Sequence, residues 1–192
     1  MNTSPSTDEF RSRLPFELRR LAAEHDVPGA SVAVLMEDQV VEATTGVINT
    51  RTGEPVTPDT LFMIQSITKT LTATLIMQLV DEGVVAVDDL VIDHLPGFRT
   101  ADSEASSKIT VRHLLTHTGG FEGDLWTATT SGTEALQRFV DDLVSEAPQI
   151  SAPGEQFSYC NAGYGTLGRL VEVRRAMTYE QALRRFVLRP LG

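Results

Sequence analysis

A serine and a lysine stand three residues apart in the segment Ser66-Ile67-Thr68-Lys69. On a helix this spacing places both side chains on one face within contact range, so the hydroxyl and the amine can exchange a proton. A serine in the first turn of a helix would also lie among backbone N–H groups that favour negative charge. The pair therefore predicts nucleophilic chemistry, in which Ser66 attacks a carbonyl carbon and Lys69 handles its proton.

Lys69 is an unusual residue for its surroundings. Of the 16 basic residues in the chain only Lys69 and Lys108 are lysines. Lys69 is the one charged residue in the segment from Leu61 to Val80, which also contains two glutamines and four threonines. These polar residues argue against a membrane span. We predict instead a helix buried in protein, in which the lysine is paired or used.

Tyr159 and Asn161 form a second group of candidate site residues, in the segment Tyr159-Cys160-Asn161. A tyrosine hydroxyl can share the proton of a serine, and a nearby ammonium favours the charged phenolate. Tyr159 and Lys69 can then act as a coupled general base, while the Asn161 amide holds a substrate carbonyl or the lysine. An ordinary half-buried tyrosine is the alternative for Tyr159 considered alone.

Three segments of the chain, in this order, resemble the serine β-lactamase-like family, which includes the penicillin-binding proteins. They are PDTLFMIQSITKTLTATLIMQLVDEG, ITVRHLLTHTGGF and PGEQFSYCNAGYGTLGRLVE. The branch that they resemble most is the class C type, with the related esterases and D-amino-acid-specific peptidases. The resemblance implies that Ser66 is the acylated nucleophile, Lys69 and Tyr159 the proton-transfer pair, and Asn161 an amide of the substrate cleft. It also implies acylation followed by hydrolysis, with no metal and no organic cofactor.

One element of the family pattern has no counterpart in these 192 residues. Family members carry a third motif, of the Lys-Thr-Gly or His-x-Gly type, on a later strand of the sheet. In the family that strand supplies the second backbone N–H of the oxyanion hole, while the serine supplies the first. We therefore expect the chain to be the N-terminal portion of a single domain, truncated before the C-terminal strands. A missing segment or a second chain would complete the sheet.

The elements expected from the sequence, together with the family resemblance, imply an α+β fold of the serine β-lactamase-like type, with an antiparallel sheet flanked by helices and a helical subdomain. Residues 1–60 are expected to form a helix plus a β-hairpin, and residues 61–192 the mainly helical part that carries the motifs. The elements predicted in the first part are a helix from Asp8 to His25, strands from Ala30 to Met36 and Gln39 to Thr45, a turn at Glu37-Asp38 and a polar loop from Ile48 to Thr60. Those predicted in the second part are helices from Ser66 to Glu82, Glu134 to Glu146 and Asn161 to Ala176, an irregular connection from Asp88 to Phe98, and a last helix with a Thr178–Gln181 capping box that ends before Pro190.

The composition narrows the classes of partner. A formal net charge of −10 and a pI near 4.8 disfavour binding to nucleic acid or to an anionic membrane surface. The polar N-terminus has no apolar run that an export signal would need, so we expect a cytoplasmic protein. Cys160 is the single cysteine and cannot form an internal disulfide, and a small packed side chain is its preferred interpretation.

Three other patterns resemble functional motifs but are weak. The run from Gly163 to Gly168 matches G-x-G-x-x-G, and a short strand at Phe157 to Cys160 could precede it, but no βαβ unit surrounds it. His113 and His117 are four residues apart, as zinc ligands can be, yet a glycine-rich loop follows at once, so local structure is preferred. The run from Gly29 to Ala33 lacks the final glycine of a G-x-S-x-G elbow.

We therefore expect a serine hydrolase that cleaves ester or amide bonds through an acyl-enzyme. A carboxylesterase is preferred, or a β-lactamase-like hydrolase, since a cytoplasmic location would separate the protein from cell-wall substrates. The substrate would be a small ester, a β-lactam or a D-amino-acid peptide. The alternatives are a D-amino-acid-specific peptidase and a non-catalytic member of the fold that binds a peptide or a partner without turnover.

Overall fold

The computed structural model describes residues 6–36, 38–127 and 130–192. The chain forms two compact units, Met1–Met63 and Ile64–Gly192. In the described part of the chain no helix is both long enough and apolar enough to cross a membrane.

The first unit combines one helix with a small antiparallel sheet. Its elements are α1 (Thr7–Glu24), β1 (Gly29–Met36), β2 (Gln39–Asn49) and β3 (Glu54–Pro55), with the strands in the order β1-β2-β3. The Ser6 hydroxyl caps α1 by accepting the Glu9 N–H, and Pro15 lies inside the helix. The predictions of the helix and of the antiparallel hairpin are confirmed. The predicted turn at Glu37 lies outside the described residues, and β3 forms where a polar loop was predicted.

Buried and exposed side chains alternate in the middle of β2, which gives this sheet its apolar face. Val41 and Ala43 are buried while Glu42 is exposed, and α1 packs against this strand. Val34 pairs with Val41 across the β1–β2 ladder. Gly46 is required in β2, because its φ is +73° and a Cβ there would lie 2.1 Å from the Pro28 carbonyl oxygen.

The second unit is mainly helical. A 3-10 turn (Gln65–Ile67) leads into α2 (Thr68–Asp81), which is followed by α3 (Val91–His94), α4 (Ser103–Ser106), α5 (Val111–Leu115) and α6 (Ala135–Arg138). The chain continues from α6 through a π-helical turn (Phe139–Leu143) and a 3-10 turn (Val144–Glu146). It ends with α7 (Asn161–Arg175), α8 (Tyr179–Leu183), a second π-helical turn (Arg184–Leu188) and α9 (Arg189–Leu191).

Helices α2 and α7 pack against each other at the centre of this unit. Leu75 and Ile76 on α2 and Leu167 and Leu170 on α7 are fully buried. Each such side chain stabilises the fold by about 1.5–3 kcal/mol relative to an exposed one. The two segments that carry the site residues predicted from the sequence thus lie at the N-terminal ends of two helices that share a buried core.

Most of the helices predicted from the sequence are confirmed, with four differences, one of which is the π-helical turn within the helix predicted from Glu134 to Glu146. Ser66 lies in the 3-10 turn before α2 and not within the helix. The predicted end at Glu82 is confirmed, since α2 ends at Asp81 with Glu82 as its C-cap, and Gly83 then has a φ of +70°. The connection from Asp88 to Phe98 was predicted to be irregular but contains α3. The last helix was predicted to end before Pro190, but helical backbone continues from the π-helical turn into α9, which contains Pro190.

Candidate active site

Ser66 projects from a turn with an unusual backbone conformation. The preceding residue, Gln65, has a φ of +47°, in the left-handed region that side chains other than glycine rarely adopt. The Ile67 N–H donates to the Ile64 carbonyl oxygen at 3.1 Å and closes the turn. The Ser66 side chain is exposed at the start of α2. Strain of this kind persists where the surrounding structure holds it, often at functional sites.

The Ser66 hydroxyl oxygen accepts hydrogen bonds from two polar groups. The Tyr159 phenol donates to Ser66 Oγ at 2.8 Å, and Lys69 Nζ donates to it at 3.2 Å. Lys69 is half-buried, and its Nζ also donates to Asn161 Oδ1 at 2.6 Å. The structure therefore brings together all four site residues that the sequence singled out.

Tyr159 lies in the loop before α7 and is 45% exposed. Lys69 Nζ is 4.7 Å from the centre of its ring. The interaction with the Lys69 ammonium, and second the hydrogen bond with Ser66, lower the pKa of the Tyr159 phenol below its ordinary value. The charged phenolate is thus easier to form here than in a tyrosine exposed to water.

His117 binds the backbone of the loop that carries Tyr159. Its Nδ1 accepts the Cys160 N–H at 3.0 Å, and its carbonyl oxygen accepts the Ser158 N–H at 2.8 Å. Burial, and second the charge of Lys69, lower the pKa of the His117 imidazole. A neutral ring that accepts at Nδ1 carries its proton on Nε2. The local role predicted for this histidine therefore has a definite partner, the backbone on either side of Tyr159.

Asp124 is a member of the site that the sequence did not reveal. Asn161 is the first residue of α7, and its Nδ2 donates to Asp124 Oδ1 at 2.7 Å. Asp124 is an exposed residue in a loop. It lies in no periodic pattern, and nothing in its local sequence indicates the partner. Only the approach of this loop to the start of α7 identifies it.

Cys160 begins α7 from a buried position. Its Sγ accepts the Gly163 N–H at 3.2 Å, so the thiol acts as the N-cap of the helix. Burial raises the pKa of the Cys160 thiol to about 11. The packed side chain expected from the sequence is confirmed, and it has the further role of a cap.

The weak motifs have structural explanations. The run from Gly163 to Gly168 lies inside α7, and no strand forms at Phe157 to Cys160. A Cβ on Gly165 would lie 2.7 Å from the Phe139 ring, so the small residue permits close helix packing. His113 Nδ1 accepts the Thr110 N–H in a capping box. Within residues 6–36, 38–127 and 130–192 no three histidine, cysteine or acidic side chains are grouped to hold a metal ion.

A cavity of about 220 Å³ lies beside Lys69, between α2 and α7. Its walls include Thr72, Tyr164, Gly168 and Tyr179. Thr72 and Tyr179 share a hydrogen bond of 2.7 Å between their hydroxyl groups, which leaves a mainly apolar space. A small apolar group could occupy it next to the polar cluster.

Three known proteins resemble this chain over most of its length. Penicillin-binding protein 4 of Amycolatopsis lactamdurans is 43% identical over 172 residues, which are 90% of this chain and 45% of that protein. The crystal structure of SurE with D-Leu superposes with a TM-score of 0.80 at 36% identity, over 95% of this chain and 40% of SurE. The D-amino acid amidase from Ochrobactrum anthropi SV3, complexed with D-phenylalanine, gives a TM-score of 0.79 at 26% identity, over 95% of this chain and 50% of the amidase.

The chain spans half or less of the length of each of these relatives. Over that shared part it has the serine β-lactamase-like fold, which confirms the fold class expected from the sequence. Residues 17–192 match the family described as Beta-lactamase. This chain therefore belongs to the Beta-lactamase family.

Proposed function

We propose that this chain carries the acylation site of a serine hydrolase, in which Ser66 forms a covalent ester with the acyl group of its substrate. One observation carries the proposal. Ser66 Oγ lies within hydrogen-bond distance of both the Tyr159 phenol, at 2.8 Å, and the Lys69 amine, at 3.2 Å. A serine hydroxyl is a weak nucleophile on its own and needs an adjacent base of this kind.

Proton transfer through Tyr159 accounts for acylation. The Lys69 ammonium stabilises the Tyr159 phenolate, which accepts the Ser66 proton as Oγ bonds to the carbonyl carbon and the carbonyl π electrons move to oxygen. When the tetrahedral intermediate collapses, the bond to the leaving group breaks and Tyr159 returns the proton to the leaving oxygen or nitrogen. The acyl group then remains on Ser66.

Deacylation reverses these roles with water. The Tyr159 phenolate takes a proton from a water molecule as the water oxygen attacks the acyl carbonyl carbon. Tyr159 then passes this proton to Ser66 Oγ as the ester bond breaks. The free acid and the original hydroxyl are the products. Every proton in the cycle moves to or from Tyr159, which exchanges it with Ser66, the leaving group or water, so the cycle needs no proton transfer by Lys69.

An ester or a β-lactam is the substrate class that this site favours. Both have carbonyl groups that are more reactive than an unstrained amide, and an alkoxide leaves with less proton delivery than an amine does. The name of the relative Penicillin-binding protein 4 supports the β-lactam. The name of the relative D-amino acid amidase supports a D-configured aminoacyl group as a second candidate. The cavity beside Lys69 offers space for a small apolar acyl side chain.

A fluorescent penicillin and a fluorophosphonate probe test the proposal on the full chain. We expect a covalent adduct on the peptide that contains Ser66, and none in Ser66→Ala or Lys69→Ala. The chain offers a matched control in its other lysine, Lys108, which is exposed and paired with Glu104. Lys108→Ala should label like the wild type. Labelling of Lys69→Ala at the rate of Lys108→Ala, or an adduct at another residue, would contradict the proposal.

A further inference from the structure

The Asn161 amide is held between two charged groups of opposite sign. Its Oδ1 accepts from Lys69 Nζ at 2.6 Å, and its Nδ2 donates to Asp124 Oδ1 at 2.7 Å. The two ends of an asparagine amide are nearly the same shape. Only the hydrogen-bond partners decide which end faces the lysine.

Both partners of Asn161 select the same orientation. The Lys69 ammonium can only donate, so it requires the amide oxygen, and the Asp124 carboxylate can only accept, so it requires the amide nitrogen. The reversed amide would place N–H groups against the ammonium and a carbonyl against the carboxylate. Two charge-assisted hydrogen bonds would be lost at once.

Asp124 is held in place for this contact by its own loop. The Ala162 N–H donates to the Gly123 carbonyl oxygen at 3.0 Å, which fastens the loop to the first turn of α7. A Cβ on Gly123 would lie 2.5 Å from Cys160 Cα, so only glycine allows this approach. The Asp124 N–H donates to Glu122 Oε1 at 2.8 Å. No lysine, arginine or histidine forms an ion pair with Asp124 among the described residues.

We propose that Asp124 is a positioning residue: it fixes the Asn161 amide so that the amide oxygen holds Lys69 beside Ser66. The effect on rate rests on the function proposed above, whereas the orientation of Asn161 does not. Without Asp124 the amide is free to rotate, and Lys69 loses the acceptor that keeps its Nζ at 3.2 Å from Ser66 Oγ. Misplacement of a reacting group by about 1 Å can cost roughly 10²-fold in rate.

Acylation by fluorescent penicillin tests the effect on rate. We expect Asp124→Leu to be acylated about 10- to 100-fold more slowly than wild type. Asp141→Leu is the control, since it changes an exposed carboxylate of the π-helical turn Phe139–Leu143 that lies outside the cluster. A wild-type rate in Asp124→Leu would overturn the inference.

An exchange of the two side chains separates positioning from a merely structural role. Asn161→Asp alone places two carboxylates next to each other, and we expect this variant to be acylated slowly. The double variant Asp124→Asn with Asn161→Asp restores one donor and one acceptor. The amide introduced at position 124 donates to one oxygen of the carboxylate introduced at position 161, and the other oxygen of that carboxylate accepts from Lys69. We expect it to recover at least about 10-fold over Asn161→Asp, as coupled neighbours do. A double variant as slow as Asn161→Asp would contradict the inference.

A readout that needs no activity keeps the two proposals apart. In ¹⁵N-labelled protein the Asn161 side-chain amide protons should exchange slowly with water in the wild type and quickly in Asp124→Leu. Equal exchange in the two proteins would overturn the positioning role even if acylation occurs. Absence of acylation in the wild type, together with slow exchange that Asp124→Leu abolishes, would overturn the proposed function and support the positioning role.

Discussion

The imidazole of His117 stacks on the ring of Tyr159, with the ring centres 4.5 Å apart and the planes inclined by 29°. The same imidazole accepts the N–H of Cys160, the residue that follows Tyr159. One side chain therefore fixes both the ring and the backbone of the proposed proton carrier. Nδ1 can accept this hydrogen bond only when it carries no proton. The stability of the arrangement should therefore depend on pH.

Acid should weaken the fold through His117. Burial and the charge of Lys69 lower its folded pKa below the ordinary value of about 6.5. Between the folded and the unfolded pKa of His117, the unfolded chain binds more protons than the folded protein does. The contribution of neutral His117 to the free energy of unfolding is therefore complete above about pH 6.5, and it is lost as the pH falls towards the folded pKa. We expect the free energy of unfolding in urea to decrease from about pH 7.5 to about pH 5.5.

His117→Asn is the matched variant for this prediction. Asparagine tolerates the left-handed φ of +58° at this position and offers an oxygen to the Cys160 N–H, but it does not titrate. Its loss of stability between the two pH values should be smaller than that of the wild type. His113, whose pKa burial also lowers, would still contribute to the remaining loss. An unchanged pH dependence in His117→Asn would exclude His117 as a source.

Two tyrosine-to-phenylalanine substitutions should affect different properties, one the rate of acylation and the other the stability of the fold. Tyr159→Phe removes the proposed proton carrier, so acylation should slow by about 10²- to 10⁴-fold, with little change in stability because the side chain is 45% exposed. Tyr164→Phe removes a hydrogen bond from the phenol to the Leu115 carbonyl oxygen at 3.0 Å. It should lower the free energy of unfolding by about 1 kcal/mol. Similar effects of the two variants on rate would count against a specific role for Tyr159.

The three tyrosines of the chain should ionise in two steps. Lys69 lowers the pKa of Tyr159, whereas burial raises the pKa of Tyr164 and of Tyr179. The ultraviolet absorbance of phenolate should therefore rise by one tyrosine below about pH 10 and by two above it. Tyr159→Phe should lose only the first step. Acylation should rise with pH over that first step, because the phenolate is the proton acceptor. A titration with one common step would contradict this assignment.

The site shows which relationships a sequence can reveal. The contact between Ser66 and Lys69 follows from their spacing of three residues, which is nearly one turn of an α-helix and one full turn of a 3-10 helix such as the one that contains Ser66. Tyr159 is 93 residues from Ser66, so no spacing rule joins them, and only the resemblance to a family predicted that they meet. Asp124 had neither signal. Its contact depends on the Gly123 backbone lying against Cys160, which is a property of the folded loop.

The differences in the fold have similar causes. The two residues of β3 are too few to produce an alternating pattern, and their pairing with β2 depends on the bulge between Val47 and Asn49. The helix predicted from Glu134 to Glu146 forms as α6 and the two turns after it, with Val140 and Val144 buried. Its π-helical turn could not be predicted, because a change in hydrogen-bond pattern leaves the identity of the buried residues nearly unchanged.

Cys160 offers a last test, in which chemistry and stability should agree. Its thiol is buried with a pKa of about 11, so thiolate is scarce near neutral pH, and a disulfide reagent should react slowly with the folded protein and quickly in urea. Because Sγ also caps α7 through the Gly163 N–H, Cys160→Ala should lower the free energy of unfolding by about 1 kcal/mol for the cap, with a further loss for the cavity. Cys160→Ser retains an acceptor at that position and should be less destabilised, although its hydroxyl must be buried. A cysteine that reacts rapidly in the folded state would show that the start of α7 opens readily. In that case the cluster of Ser66, Lys69 and Asn161 would lack the rigid support that its hydrogen bonds require.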